Sequence, residues 1–197
     1  MEIKIKNIKL KNIKVEVLEK IEEKCIIWFF ANPNSRIGLT ELSRIIKSSK
    51  TATKKAVNSL IKQEFLFKEV AGRSWILYTN QNHKYFRTKK ISYHLDKIYE
   101  TEIVDTIYKV IPQARAIILF GSYRWGSDTE NSDIDIAIEV LGSDELKIVC
   151  LGVIKQFGYR NNIPVNLHIF SRNKIDLNLF ANITNGIVLD GFLEVRP

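Results

Sequence analysis

The chain has 197 residues, 45% of them apolar and 26% charged, with 30 Lys+Arg against 22 Asp+Glu and a net charge of +8. That length fits one large domain or two small ones, and the apolar fraction excludes a disordered chain. No apolar run reaches the ~18–20 residues of a membrane span, the lysine-rich start (Met1 to Lys14) lacks the apolar core of a signal peptide, and two distant cysteines, Cys25 and Cys150, exclude a disulfide framework and a Cys-based zinc site and point to the cytoplasm.

The charge is unevenly spread. Residues 1–98 carry 21 Lys+Arg and 9 Asp+Glu, a net of +12, whereas residues 99–197 carry 9 and 13, a net of −4. Two modules with different partners follow from that split, the basic one suited to a polyanion such as nucleic acid. A lysine-rich surface serving solubility is the alternative.

In chain order, residues 1–14 fit a basic arm or an edge strand, with Ile3, Ile5, Ile8, Leu10 and Ile13 spaced by two and three. Residues 15–31 are predicted as a helix that becomes fully buried toward its end, broken by Pro33, Asn34, Ser35 and Gly38. Thr40 is the expected N-cap of a short helix through Ile46. A third helix is predicted from about Thr51 to Gln63, apolar at Ala52, Ala56, Val57, Leu60 and Ile61, with Thr51, Lys54, Lys55, Asn58 and Lys62 opposite. FLFKEV and SWILYT around Gly72 read as a β-hairpin. A linking helix is expected over 81–98, with Tyr85, Phe86, Ile91 and Ile98 as its apolar side.

This order resembles a winged helix-turn-helix over about residues 15–80. The resemblance implies a third helix in the DNA major groove, with Lys50, Thr51, Lys54, Lys55 and Asn58 facing DNA and Arg73 at the hairpin tip touching backbone or minor groove. A domain used only for protein contacts is the other reading.

In the second half, a helix is predicted over 102–111, then a buried strand within Ala114 to Gly121. Gly121-Ser122 follows it directly. After a polar loop, Asp133-Ile134-Asp135-Ile136-Ala137-Ile138 alternates, so that Asp133 and Asp135 share one face of a strand and the isoleucines the other. Two carboxylates so placed repel each other unless a cation lies between them, and Mg²⁺ is suited to one or two carboxylates plus substrate phosphates. Glycine lets the backbone approach a phosphate, and serine adds a hydroxyl and an amide N–H.

Gly121-Ser122, ten residues, then Asp133-x-Asp135 resembles the signature of the DNA polymerase β nucleotidyltransferase superfamily, in a minimal form over residues 99–197. The implied fold class is α+β: a winged-helix domain (1–80), a linking helix (81–98) and an α/β nucleotidyltransferase domain with a small mixed sheet (99–197). The resemblance implies that Gly121, Ser122 and Arg124 bind a nucleoside triphosphate, ATP by preference. Asp133 and Asp135 would hold Mg²⁺ or Mn²⁺ while an acceptor hydroxyl attacks the α-phosphorus and expels pyrophosphate. The family's third carboxylate follows an intervening helix, expected here over 144–156, and its position falls on Asn166, a candidate metal ligand without charge. His168, two residues on, is a candidate base or ligand, with a packing role as the alternative. Arg124 stands one position earlier than the arginine of many relatives, with Trp125 in that place. A helix is expected within 171–184 and a last short strand at 186–189; Cys150 reads as core. Two functions stay open: transfer of a nucleotidyl group to an acceptor, a partner protein or HEPN-type toxin being one setting the resemblance implies, or a DNA-binding regulator that senses nucleotide without turnover. A homo-oligomer is compatible with both.

Overall fold

The computed structural model describes residues 14–15, 20–142 and 145–195. What the sequence suggested for residues 1–13, 16–19 and 143–144 lies outside the described residues. The fold is α+β, a winged-helix half followed by a half built on a mixed sheet. Among the described residues no helix is long and apolar enough to cross a membrane.

Lys14–Val15 form a short strand, β1. The first helix, α1, spans Ile21–Ala31, starting later than predicted. Its beginning is set where the Glu23 carboxylate accepts from the Lys20 N–H at 3.1 Å. As expected, it is buried at its end, from Ile27 through Ala31. Strand β2, Ile37–Gly38, runs straight into α2, Leu39–Ile45, so the cap falls on Gly38 and Thr40 lies inside the first turn. Helix α3, Lys50–Lys62, is capped by Ser49, whose Oγ accepts from the Ala52 N–H at 3.2 Å. Strands β3, Leu66–Ala71, and β4, Ser74–Thr79, form the hairpin, and β2 completes a three-stranded sheet in the order β2-β4-β3. Gly72, at φ +60°, makes the two-residue turn. This order of helices, hairpin and small sheet is a winged helix, closed around Phe29, Phe30, Leu42, Leu60, Phe65 and Leu77.

Helix α4 spans Phe86–Glu100 and is shared. Phe86 packs in the first core against Phe30 and Phe65, while Ile98 lies in the second. Its buried side is Phe86, Lys90, His94, Lys97 and Ile98; Tyr85, expected there, is exposed.

Then come α5, Ile103–Val110; β5, Ala116–Phe120; α6, Gly121–Trp125; and β6, Ile134–Glu139. The helix expected over 144–156 is corrected: Lys147–Phe157 is a strand, β7, antiparallel to β8, Arg160–Phe170. β-Branched Ile148, Val149, Val153 and Ile154 favour a strand, and Gly152, a poor helix residue, sits at a bulge. Cys150 is corrected with it, being exposed rather than core. The helix expected within 171–184 is a 3₁₀ turn, Arg172–Lys174, and α7, Leu177–Thr184, separated where Asp176 caps α7 through two N–H bonds of 3.0 Å. Strand β9, Ile187–Gly191, completes a six-stranded sheet in the order β1-β7-β8-β6-β5-β9. Strand β1 thus joins the sheet of the second half, parallel to the end of β7. Strand β5 is apolar on both faces, as a strand covered on both sides must be, whereas β6 and β8 turn isoleucine, valine and leucine into one core and carry Asp135, Asn166 and His168 on the other face.

Candidate functional site

Strand β5 is buried along its whole length and ends at Phe120, which pairs with Asp135 of β6. The chain then turns into α6 through Gly121, at φ +70°. A Cβ at Gly121 would lie 2.9 Å from Asp135 Oδ2, 3.5 Å from its Cβ and 3.6 Å from its Cγ. Glycine is required here twice, by the left-handed backbone and by this approach. The turn Gly121-Ser122 and the acidic strand, ten residues apart in sequence, are therefore in contact.

Strands β6 and β8 are parallel and in register, Asp135 opposite Asn166 and Ala137 opposite His168. That places Asp133, Asp135, Asn166 and His168 in one partly exposed group. Asn166 Nδ2 donates to Asp133 Oδ2 at 2.5 Å, and His168 Nε2 lies 3.1 Å from Asp135 Oδ1. His168 Nδ1 is buried without a hydrogen-bond partner among the described residues. A buried lone pair costs less there than a buried N–H, so the proton sits on Nε2 and is donated to Asp135. The Phe120 ring meets the imidazole edge-on, centroids 4.9 Å apart. Each carboxylate thus has one side-chain donor, which relieves the repulsion between Asp135 on β6 and Asp133 just before it.

Arg124 is turned elsewhere: its Nε donates to the Asn185 carbonyl at 2.6 Å and its guanidinium stacks 4.0 Å from the centroid of the Trp125 ring. Cys150 pairs with Asn166, and Ile148 with His168, so β7 lays two exposed side chains beside the group. Sequence reasoning missed both, because their placement depends on a strand partner that it had read as following a helix.

Between the acids and α6, residues 126–132 run over buried charge. Lys90 Nζ is 3.0 Å from Asp128 Oδ1 and donates to the Asp128 carbonyl at 2.6 Å. Arg160 donates to the Tyr123 hydroxyl, to the Ser132 carbonyl at 2.5 Å and to the Glu130 carbonyl at 3.1 Å. Burial pushes the Asp128 carboxyl up and the Lys90 ammonium down, and drives His94 down to about 3, with Lys90 adding to the effect. The signal available in sequence was Phe86, Lys90, His94 and Ile98 at helical spacing, with charge inside an apolar row.

In the basic half, Lys50, Thr51, Lys54, Lys55, Asn58 and Arg73 are all exposed. Lys50, Lys54 and Arg73 converge with Gly38 to Glu41, Ser74 and Trp75 on an open cleft of ≈ 400 Å³. Trp75 lies under two cations, 4.1 Å from Lys68 Nζ and 5.0 Å from Lys54 Nζ. Thr51, Lys55 and Asn58 form a separate stripe on α3, outside the cleft.

Residues 101–190 match the family model of polymerase beta nucleotidyltransferases. The matched nucleotidyltransferase region runs from the end of α4 into β9 and holds Gly121, Ser122, Asp133, Asp135, Asn166 and His168. No curated protein matches the chain. Among solved structures, the chain is similar to the adhesin competence repressor AdcR from Streptococcus pyogenes at 21% identity, covering 49% of this chain and 81% of that one with a TM-score of 0.33. At that score the likeness carries no argument, and the winged helix rests on the element order described above.

Proposed function

We propose that the chain transfers a nucleotidyl group, AMP from ATP, to an acceptor hydroxyl as the α–β phosphoanhydride bond breaks and pyrophosphate leaves, and that its winged-helix module (1–80), joined through residues 81–98 to the nucleotidyltransferase module (99–197), binds duplex DNA. The observation that carries the first part is the contact between Gly121 and Asp135, which joins a phosphate-suited turn to a pair of acids. Among the described residues no group of three or more His, Cys, Asp or Glu side chains is arranged to hold a metal ion. Two partly exposed carboxylates nevertheless fit Mg²⁺ or Mn²⁺, which takes one or two carboxylates plus substrate phosphates.

Asp133 and Asp135 would be its protein ligands, with the Asn166 carbonyl oxygen available if the amide turns over. Bound there, the metal would supply charge stabilisation to the triphosphate and the attacking oxygen. The chain's own groups do the rest. Gly121 admits the phosphates to the backbone, and Ser122 offers its hydroxyl and N–H. Asn166 and His168 orient the two carboxylates. With its site-facing nitrogen protonated, His168 fits the role of positioning Asp135 better than that of a base.

The test is incubation with Mg²⁺, ATP labelled at the α-phosphate and a cell extract supplying acceptors. Label transfer that disappears in Asp133→Asn with Asp135→Asn is the expected result. No transfer by either chain would count against the proposal.

A second reading, a DNA-binding regulator that senses nucleotide without turnover, is favoured by the uncharged Asn166 at the third-carboxylate position and by Arg124, tied to Asn185 and Trp125. It predicts nucleotide binding without label transfer.

A further inference from the structure

The loop that delivers Asp133 is gripped from two sides. From α4, Lys90, wholly buried, reaches both the carboxylate and the carbonyl of Asp128, which is itself 1% exposed. From β8, the Arg160 fork reaches the carbonyls of Glu130 and Ser132, the latter adjacent in sequence to Asp133, and its other arm reaches Tyr123 of α6. The approach is tight: a Cβ on Gly126 would come within 2.9 Å of the Arg87 carbonyl oxygen on α4. Inside the loop, the Ser127 N–H bonds the Ser122 carbonyl, and Thr129 and Ser132 bond each other through N–H to Oγ and N–H to carbonyl.

Two cations and one carboxylate taken out of water are costly to bury, and apolar side chains would fill the same space more cheaply. What they supply is direction. A guanidinium holds two carbonyls at fixed angles, which apolar packing cannot do. Helix α4 is anchored in both cores by Phe86 and Ile98, so it is a fixed strut for Lys90.

We propose that Lys90, Asp128 and Arg160 form a buried ionic clasp that sets the conformation of residues 126–132 and thereby the position of Asp133. They are positioning residues. The inference rests on Asp133 acting as proposed above, but the clasp is tested apart from it. Its two readouts, both on the full chain, are hydrogen exchange of the Ser127, Thr129 and Ser132 amides and titration with Mn²⁺ alone. In Arg160→Lys, which keeps the charge and loses the fork, these amides exchange about tenfold faster or more. Mn²⁺ affinity falls about tenfold, as expected when support behind a ligand is lost. The amides of β5 and β6 keep their protection. Ile163→Val, a core change on the same strand β8 that lowers overall stability, leaves the loop amides and Mn²⁺ affinity as they are.

If Arg160→Lys does not fold, Asp128→Asn, which keeps shape and removes charge, repeats the test with the same expectation. Loop exchange unchanged in the variant overturns the clasp. Faster loop exchange with undiminished Mn²⁺ affinity overturns the positioning of Asp133. A wild-type chain that binds no Mn²⁺ counts against the metal reading of Asp133 and Asp135, while loop exchange still decides the clasp.

Discussion

Gly121→Ala is the substitution whose consequence follows most directly from the geometry. It forces an L residue to φ +70° and places a methyl group 2.9 Å from Asp135 Oδ2. The backbone conformation costs about 1–2 kcal/mol. The contact is relieved by turning the Asp135 carboxylate off its rotamer, about 1 kcal/mol more, and that movement takes it from His168 Nε2, now 3.1 Å away. Gly72→Ala is the matched control, with φ +60° and nothing within 4 Å of the added Cβ. Urea unfolding should show both variants losing about 1–2 kcal/mol from backbone strain, with Gly121→Ala losing about 1 kcal/mol beyond that. Mn²⁺ titration should separate them fully: about a tenfold loss of affinity in Gly121→Ala and none in Gly72→Ala. Equal Mn²⁺ affinity in the two variants would refute the claim that this glycine keeps Asp135 in place.

Three further outcomes are expected. His94 is held neutral by burial and by Lys90, with its pKa pushed down to about 3 from 6.5, so the unfolded chain takes up a proton below 6.5 that the folded chain refuses. Stability from this group therefore falls with pH, by about 2 kcal/mol between pH 7 and pH 5; urea unfolding of wild type and His94→Gln at both values should show that extra loss only in wild type, Asp128, whose pKa is raised, opposing it in both. Asn166→Asp replaces the donor to Asp133 by a third acid, so the thermal midpoint should drop without metal and recover with millimolar Mg²⁺, and a drop that Mg²⁺ does not reverse would contradict the metal reading. Lys54→Ala with Lys55→Ala should weaken duplex DNA binding and lower the slope of log K against log salt by about 2, whereas binding indifferent to salt would remove DNA as the partner of the basic half.

What was legible in the sequence was what is decided locally. Helix α3 and the hairpin at Gly72 follow from periodicity and turn chemistry within a few residues. The pairing of Asp133 and Asp135 on one face follows from strand alternation. Strand β7 was not legible, because the bulge at Gly152 interrupts its alternation and the family resemblance called for a helix. That one misreading also hid the exposure of Cys150 and its place beside Asn166. The buried charge at Lys90, Asp128 and Arg160 joins residues 38 and 32 positions apart, which no local pattern reports. The pairing of Lys14–Val15 with β7 is likewise made across the chain rather than locally.

The most direct test of the account is a crystal of the full chain grown with Mg²⁺ and a non-hydrolysable ATP analogue. Metal density between Asp133 and Asp135, with the triphosphate against Gly121 and Ser122, is the result predicted. A nucleotide bound elsewhere, with Asp133 and Asp135 still held by Asn166 and His168, would contradict it.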